Sequence, residues 1–154
     1  MSSSGTAHIP ILYRLLFTYI EPLSALSGAL LCHFNPTYFL RTMSATAIYA
    51  PSHQVIFDQL AATYILFAFN EAVLLRMTND LKMWKALVMG ILLCDVVHLY
   101  GSWEVMGAAF FRPAEWRGED WMNLLMLYVP VVVRLCFLGE VGFGREGGKN
   151  KKRA

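Results

Sequence analysis

Five ionisable residues stand inside apolar runs that would otherwise suit a lipid solvent. Glu21 lies midway along the first run and Glu71 near the end of the second. Asp95 and His98 are in the middle of the third, and Arg134 is in the middle of the fourth. A charge at the centre of a spanning helix costs about 2.5–3.5 kcal/mol on the insertion scale, and such residues usually face the bundle interior and mark a site. A carboxylic acid held out of water can stay neutral and give up a proton, while a neighbouring carboxylate or imidazole takes one. That pairing performs acid–base chemistry without a cofactor. The three-residue spacing of Asp95 and His98 puts both on one helix face. At about 1.5 Å per residue, Glu21 lies roughly 15–18 Å from one membrane edge and Asp95 roughly 16 Å, so the two share a level. Glu21, Asp95 and His98 are therefore the expected catalytic group. Glu71 and Arg134 fall at a common depth nearer that edge and are expected to form an ion pair that supports the site. Asn70 sits about 100° around the helix from Glu71 and is a weaker support. The structural alternative is a polar clamp, Arg134 with Glu71 and Asp95 with His98, that only fixes the helices.

The elements that must position these residues follow from composition. The chain has 154 residues, of which 56% are hydrophobic and 16% charged, with a mean hydropathy of +0.45. Soluble chains average about 45–50% and 25%. A domain this small cannot hide so much apolar surface in one core. Lipid is the solvent that fits, so the lipid bilayer is the first expected partner. Four stretches have the roughly 20 apolar residues that a spanning helix needs. They run over about 9–34, 55–75, 84–103 and 121–143, inside a transmembrane domain of residues 1–144. Backbone groups in lipid must be bonded within their own segment, so the expected fold is an all-α, four-helix membrane bundle. Trp84, Trp103 and Trp121 mark span ends, where indole rings favour the headgroup level. Pro22 and Pro130 lie inside spans and are expected to kink them. Ser24, Ser27, Gly28 and Ala29 bring small residues together for close helix packing. The first span is not read as a signal peptide, because Met1–His8 has no basic region and the apolar run is too long.

Other chemistries have little support. A net charge of +2 without interleaved stacking residues does not suit nucleic acid. Cys32, Cys94 and Cys136 form neither a disulfide framework nor a metal spacing, and the methionines read as packing. No phosphate loop, dinucleotide fingerprint, zinc helix or nucleophile elbow is present. No cofactor or metal is expected. Tyr13, Tyr19, Tyr64, Tyr100 and Tyr128 can add hydroxyls to an internal cavity, although each singly is more often a packing residue.

Charge sets the expected orientation. Arg76, Lys82 and Lys85 lie between the second and third spans, and Arg145, Lys149, Lys151, Lys152 and Arg153 lie in the tail 145–154; Arg41, Arg112 and Arg117 lie on the other side. The positive-inside rule then places both termini in the cytosol. Lys151 and Lys152, fourth and third from the end, resemble the di-lysine retrieval signal of endoplasmic-reticulum membrane proteins, a receptor-read address. A basic flank that binds anionic lipid is the alternative.

Phe17-Thr18-Tyr19-Ile20-Glu21-Pro22, Asn35-Pro36, Asn70-Glu71-Ala72-Val73-Leu74-Leu75-Arg76 and Asp95-Val96-Val97-His98-Leu99-Tyr100-Gly101 carry a resemblance over nearly the whole chain. They resemble a family of small fungal four-span membrane proteins, some of them associated with secondary-metabolite pathways. The resemblance implies cyclisation, isomerisation or epoxide opening of lipid-soluble polyketides or terpenoids. A looser similarity, in style only, links the chain to emopamil-binding-protein-type bundles of the endoplasmic reticulum, which use intramembrane acidic residues and histidine-bearing helices. The leading expectation is a cofactor-free acid–base enzyme acting on an apolar small molecule. A non-catalytic lipid or sterol binder, or an assembly subunit, is the alternative. A transporter fits least, because no internal repeat is visible. Oligomer formation is left open.

Overall fold

The computed structural model describes residues 9–144, and every regular element among them is helical. Four helices are long and apolar enough to cross a membrane: α1 (Ile11–Phe34), α3 (Pro51–Met77), α4 (Leu81–Phe111) and α5 (Gly118–Leu138). A short helix, α2 (Pro36–Met43), follows α1 after one residue. The chain is thus an all-α, multi-pass membrane protein. Its outward faces carry exposed Ile, Leu, Val and Phe along all four spans, the surface that lipid rather than water solvates.

Local chemistry sets the ends of these helices more sharply than hydropathy does. The Asn35 side chain accepts the N–H of Tyr38 at 3.2 Å and caps α2, with Pro36 at a first-turn position where its missing N–H costs nothing. Pro51 opens α3 in the same way, through a 3₁₀ turn over Pro51–His53. Asp80 accepts the Lys82 N–H at 2.9 Å and starts α4. The α-helical part of α4 stops at Met106 because Gly107 adopts φ +56°, a conformation open to glycine. Asp120 accepts both the backbone N–H and the Nε of Arg117 at 2.9 Å, which fixes the start of α5. That helix runs through Pro130 and ends at Leu138 rather than near Phe143. Glu140 takes φ 56° there. Glu140 N–H then meets Phe137 O, and Val141 N–H meets Cys136 O, a left-handed turn that consumes the last carbonyls.

Several hydroxyls within the spans bond back to their own helix, Thr18 to Arg14 O at 2.7 Å, Ser24 to Ile20 O at 3.1 Å and Ser27 to Leu23 O at 2.9 Å, which satisfies them without water. The broadest helix contact joins α1 to α3. At Gly28 an added Cβ would lie 3.4 Å from the Tyr64 ring, so glycine lets that ring close on α1. At the α2 end, Ala29, Cys32, Phe39, Phe57 and Ala61 form one apolar cluster. Beside it, Gln54 Nε2 donates to Asp58 at 2.8 Å, and His33 Nδ1 lies 2.9 Å from the same oxygen. At the opposite end Ile9, Tyr13, Phe17, Leu75, Trp84, Val88 and Phe137 form the other cluster.

Trp84 stands near the start of α4 but does not face outward. It is fully buried, its Nε1 donates to Thr78 O at 2.9 Å, and Arg14 covers its ring at 5.6 Å. Trp103 and Trp121 are partly exposed. Trp84→Ala should therefore cost about 3–5 kcal/mol, read as a lowered thermal unfolding midpoint in detergent. Met83→Ala, on an exposed neighbour, should change stability by no more than about 0.5 kcal/mol.

Candidate functional site

Between the two apolar clusters, each spanning helix sends one ionisable side chain inward. Arg134 of α5 is the hub. Its Nη1 donates to Asp95 Oδ2 of α4 at 2.5 Å. Its Nη2 donates to Glu21 Oε2 of α1 and reaches Glu71 Oε1 of α3 at 3.5 Å. The four side chains retain 6% (Arg134), 14% (Asp95), 11% (Glu21) and 3% (Glu71) of their exposure. A planar guanidinium can hold several carboxylates at once because its donors are set in a rigid fork.

Two local irregularities bring the carboxyls there. One π-helical turn, Leu16–Ile20, ends immediately before Glu21; another, Asn70–Leu74, contains Glu71. A π turn fits an extra residue into the helix and is common at functional sites. These two turns pack against each other. Pro22 has no N–H to offer the Thr18 carbonyl four residues back. Arg76 fills that position, its Nη2 donating to Thr18 O at 2.5 Å while its guanidinium lies 4.1 Å from the Tyr19 ring centre. Pro22 is thus accommodated by a change of register and a borrowed donor.

The expected pairings are only partly those found. Glu21 and Asp95 do share a depth, since one guanidinium bonds both. Glu71 and Arg134 do meet, but not as a separate pair: the supporting clamp and the expected catalytic carboxyls are one cluster. Depth counting missed this because it treated each helix as straight and regularly α-helical. His98 does not complete an Asp95–His98 pair. Its Nδ1 lies 4.0 Å from Cys94 Sγ, and its ring stacks on Tyr64 with centroids 6.4 Å apart. Asn70 is half-buried and adjoins Glu71 within the π turn. Tyr13 OH donates to Val141 O at 2.9 Å, and Tyr128 stacks on Trp116, so both serve packing. Arg76 and Pro22 are the contributors that residue-type reasoning overlooked; the proline inside a span was the available signal. Lys151 and Lys152 lie outside the described residues.

Among the described residues no group of His, Cys, Asp and Glu side chains is arranged to hold a metal ion. The Nε of Arg134 is the buried side-chain nitrogen there that lacks a partner. If all four groups were ionised, one guanidinium and three carboxylates would sum to a formal charge of −2. Uncompensated buried charge costs several kcal/mol per ion, and one guanidinium offsets one carboxylate.

Four helices able to cross a membrane, closed around a buried arginine and three carboxyls, define a multi-pass α-helical membrane protein with a polar core. Residues 6–145 match the family model described as Domain of unknown function (DUF7704), and the chain belongs to that family. No curated protein and no solved structure matches it.

The shared hub changes what a rescue experiment should show. Arg134→Gln leaves three carboxyls without a cation and should cost about 3–5 kcal/mol of stability. Adding Glu71→Gln should restore little, because Glu21 and Asp95 remain uncompensated. Neutralising all four, as E21Q/E71Q/D95N/R134Q, should restore much more. Detergent unfolding of the series measures this; full rescue by Glu71→Gln alone would mean that Arg134 pairs with Glu71 only.

Proposed function

We propose that the chain is a cofactor-free acid–base enzyme of the membrane that opens, cyclises or isomerises a lipid-soluble polyketide or terpenoid, with an epoxide or alkene as the reacting group. The observation that supports this reading is the excess of three carboxyls over one guanidinium in the core. A protonated carboxyl and a carboxylate then stand together on one cation. Glu21 and Asp95 are the working pair, because they keep more exposure than Glu71. One of them, as the acid, protonates the substrate oxygen as its C–O bond breaks. The other, as the carboxylate, takes a proton from the attacking water, from an internal hydroxyl or from an adjacent C–H. Proton transfer between them restores the starting state. Arg134 positions both and spreads their charge; Glu71 holds Arg134 from the third side. His98, on the same face of α4, contacts the substrate body rather than the transferred proton.

The competing reading is a non-catalytic lipid or sterol binder, or an assembly subunit, in which the cluster only clamps the helices. It is favoured by the fact that Arg134 already bonds each carboxyl. Charge arithmetic separates the two. Loss of one carboxyl still leaves Arg134 compensated, so Glu21→Gln and Asp95→Asn should fold. As proton-transfer variants they should lose about 10²–10⁴-fold in turnover. The measurement is product analysis after co-expression with epoxide-bearing pathway intermediates in a host that lacks the activity. Folded variants with undiminished turnover would remove the acid–base assignment. No product with the unaltered chain, over a range of epoxides and alkenes, would favour the clamp.

The proposed location is the endoplasmic-reticulum membrane with both termini in the cytosol, supported by the tail residues Lys151 and Lys152 and by the distribution of basic residues. Lys151→Ser with Lys152→Ser should send a tagged chain onward toward the Golgi and cell surface without loss of folded yield, as seen by microscopy. An unchanged reticular pattern would make the tail a basic flank.

A further inference from the structure

Cys94, Val97, His98, Gly101, Ser102 and Val105 recur along α4 at intervals of three and four, the spacing of one helix face. Tyr64 of α3 stacks on His98 and Ser102 is buried, while Val97, Gly101 and Val105 are exposed. The face borders a half-open groove of about 330 Å³, with Met43 at the end of α2 on its other side. That volume is at the lower end of the range for small-molecule sites. Four features narrow what fits. The cavity has no charged lining residue, so its occupant is neutral. Met43, Val97 and Val105 make it largely apolar, and Val97 and Val105 are exposed on the outer surface of a membrane-spanning helix, so the occupant enters from the bilayer. A Cβ at Gly101 would meet nothing within 4 Å, so glycine keeps the middle of the face open. The buried Ser102 and His98 lie one turn apart, with about 5–6 Å between their Cβ atoms, and present a hydroxyl and an imidazole to the same space. The Tyr64 ring lies nearly parallel to the His98 imidazole, with centroids 6.4 Å apart.

We infer that this cavity binds a neutral, elongated apolar molecule carrying one oxygen function, an alcohol, ketone or ether, whose oxygen is held between His98 and Ser102. It is a binding site in its own right and holds whether or not the Arg134 cluster is catalytic. Cys94 borders the cavity and Asp95 follows it on the same turn of α4, bonded to Arg134.

Photolabelling of the full chain in phosphatidylcholine vesicles tests this with three diazirine probes of equal chain length: hexadecanol, hexadecane and hexadecanoate. The alcohol should label α4 peptides spanning Cys94–Val105 in preference to the other two probes, and excess unlabelled hexadecanol should compete. Ser102→Ala and His98→Phe should each weaken competition about threefold to tenfold, the effect of one lost hydrogen bond. Gly101→Leu should abolish labelling; should it fail to fold, the Ser102 and His98 variants decide. Equal labelling by alcohol and hydrocarbon, or labelling spread over all four helices, would mean ordinary lipid contact and overturn the site. Preferred labelling by hexadecanoate would overturn the neutral-ligand assignment. Covalent joining of two chains through the Val97–Val105 face would mean that a second copy covers it, and would also overturn the site.

Discussion

A guanidinium cannot be buried in a lipid-solvated bundle without anionic partners, and in this chain the partners come from three different helices. Arg134 on α5 is bonded to Glu21, Glu71 and Asp95 on α1, α3 and α4, so the relative depth and rotation of all four spans are set by one side chain. Between helices whose outer surfaces are all apolar, burial of greasy surface does little to choose a neighbour, because lipid tails are as apolar as leucine. Directional polar contacts and close packing do the choosing. The apolar clusters on either side, around Phe17 and Trp84 at one end and around Cys32 and Phe57 at the other, then fill the space that this geometry leaves.

The helices that deliver the carboxyls carry visible adjustments. Both π turns lie at the level of the cluster, and the freed carbonyl of Thr18 is bonded by Arg76. An isolated regular helix would gain nothing from either turn. The adjacent charged contact gives them a reason to persist, since a wider turn rotates the residues that follow it relative to those before. The excess of carboxyls over guanidinium that constrains the fold is also what the proposed acid–base chemistry would use, so the architectural and the chemical readings draw on one set of atoms.

Much of this was legible in the residues. Runs of about 20 apolar residues gave the four spans, and Glu21, Glu71, Asp95 and Arg134 stood out because charge is costly there. Their common depth followed from counting residues for Glu21 and Asp95. Their convergence on one hub did not, because it depends on helix rotation, and a π turn changes that rotation without altering the run of residue types. His98 shows the limit of spacing arguments in another way. Three residues from Asp95 permits a contact, yet Tyr64 and Cys94 compete for the same ring and hold it. The burial of Trp84 was not legible either, because an indole at a helix start can face outward or inward, and the Thr78 carbonyl and the packing around it hold this one inside the protein. The ends of α4 and α5 lay beyond hydropathy, since Asp80, Gly107, Asp120 and Glu140 set them through hydrogen bonds and backbone angles.

The hub also imposes an order on biosynthesis. Glu21, Glu71 and Asp95 belong to the first three spans to leave the ribosome, whereas Arg134 arrives with the last. Until then the nascent chain holds three intramembrane carboxyls and no cation at their level. The contact between α1 and α3 needs no part of the last helix, but the bonds that tie the three carboxyls to one side chain do. Completion of the final helix supplies the counter-charge and converts a set of inserted segments into one body.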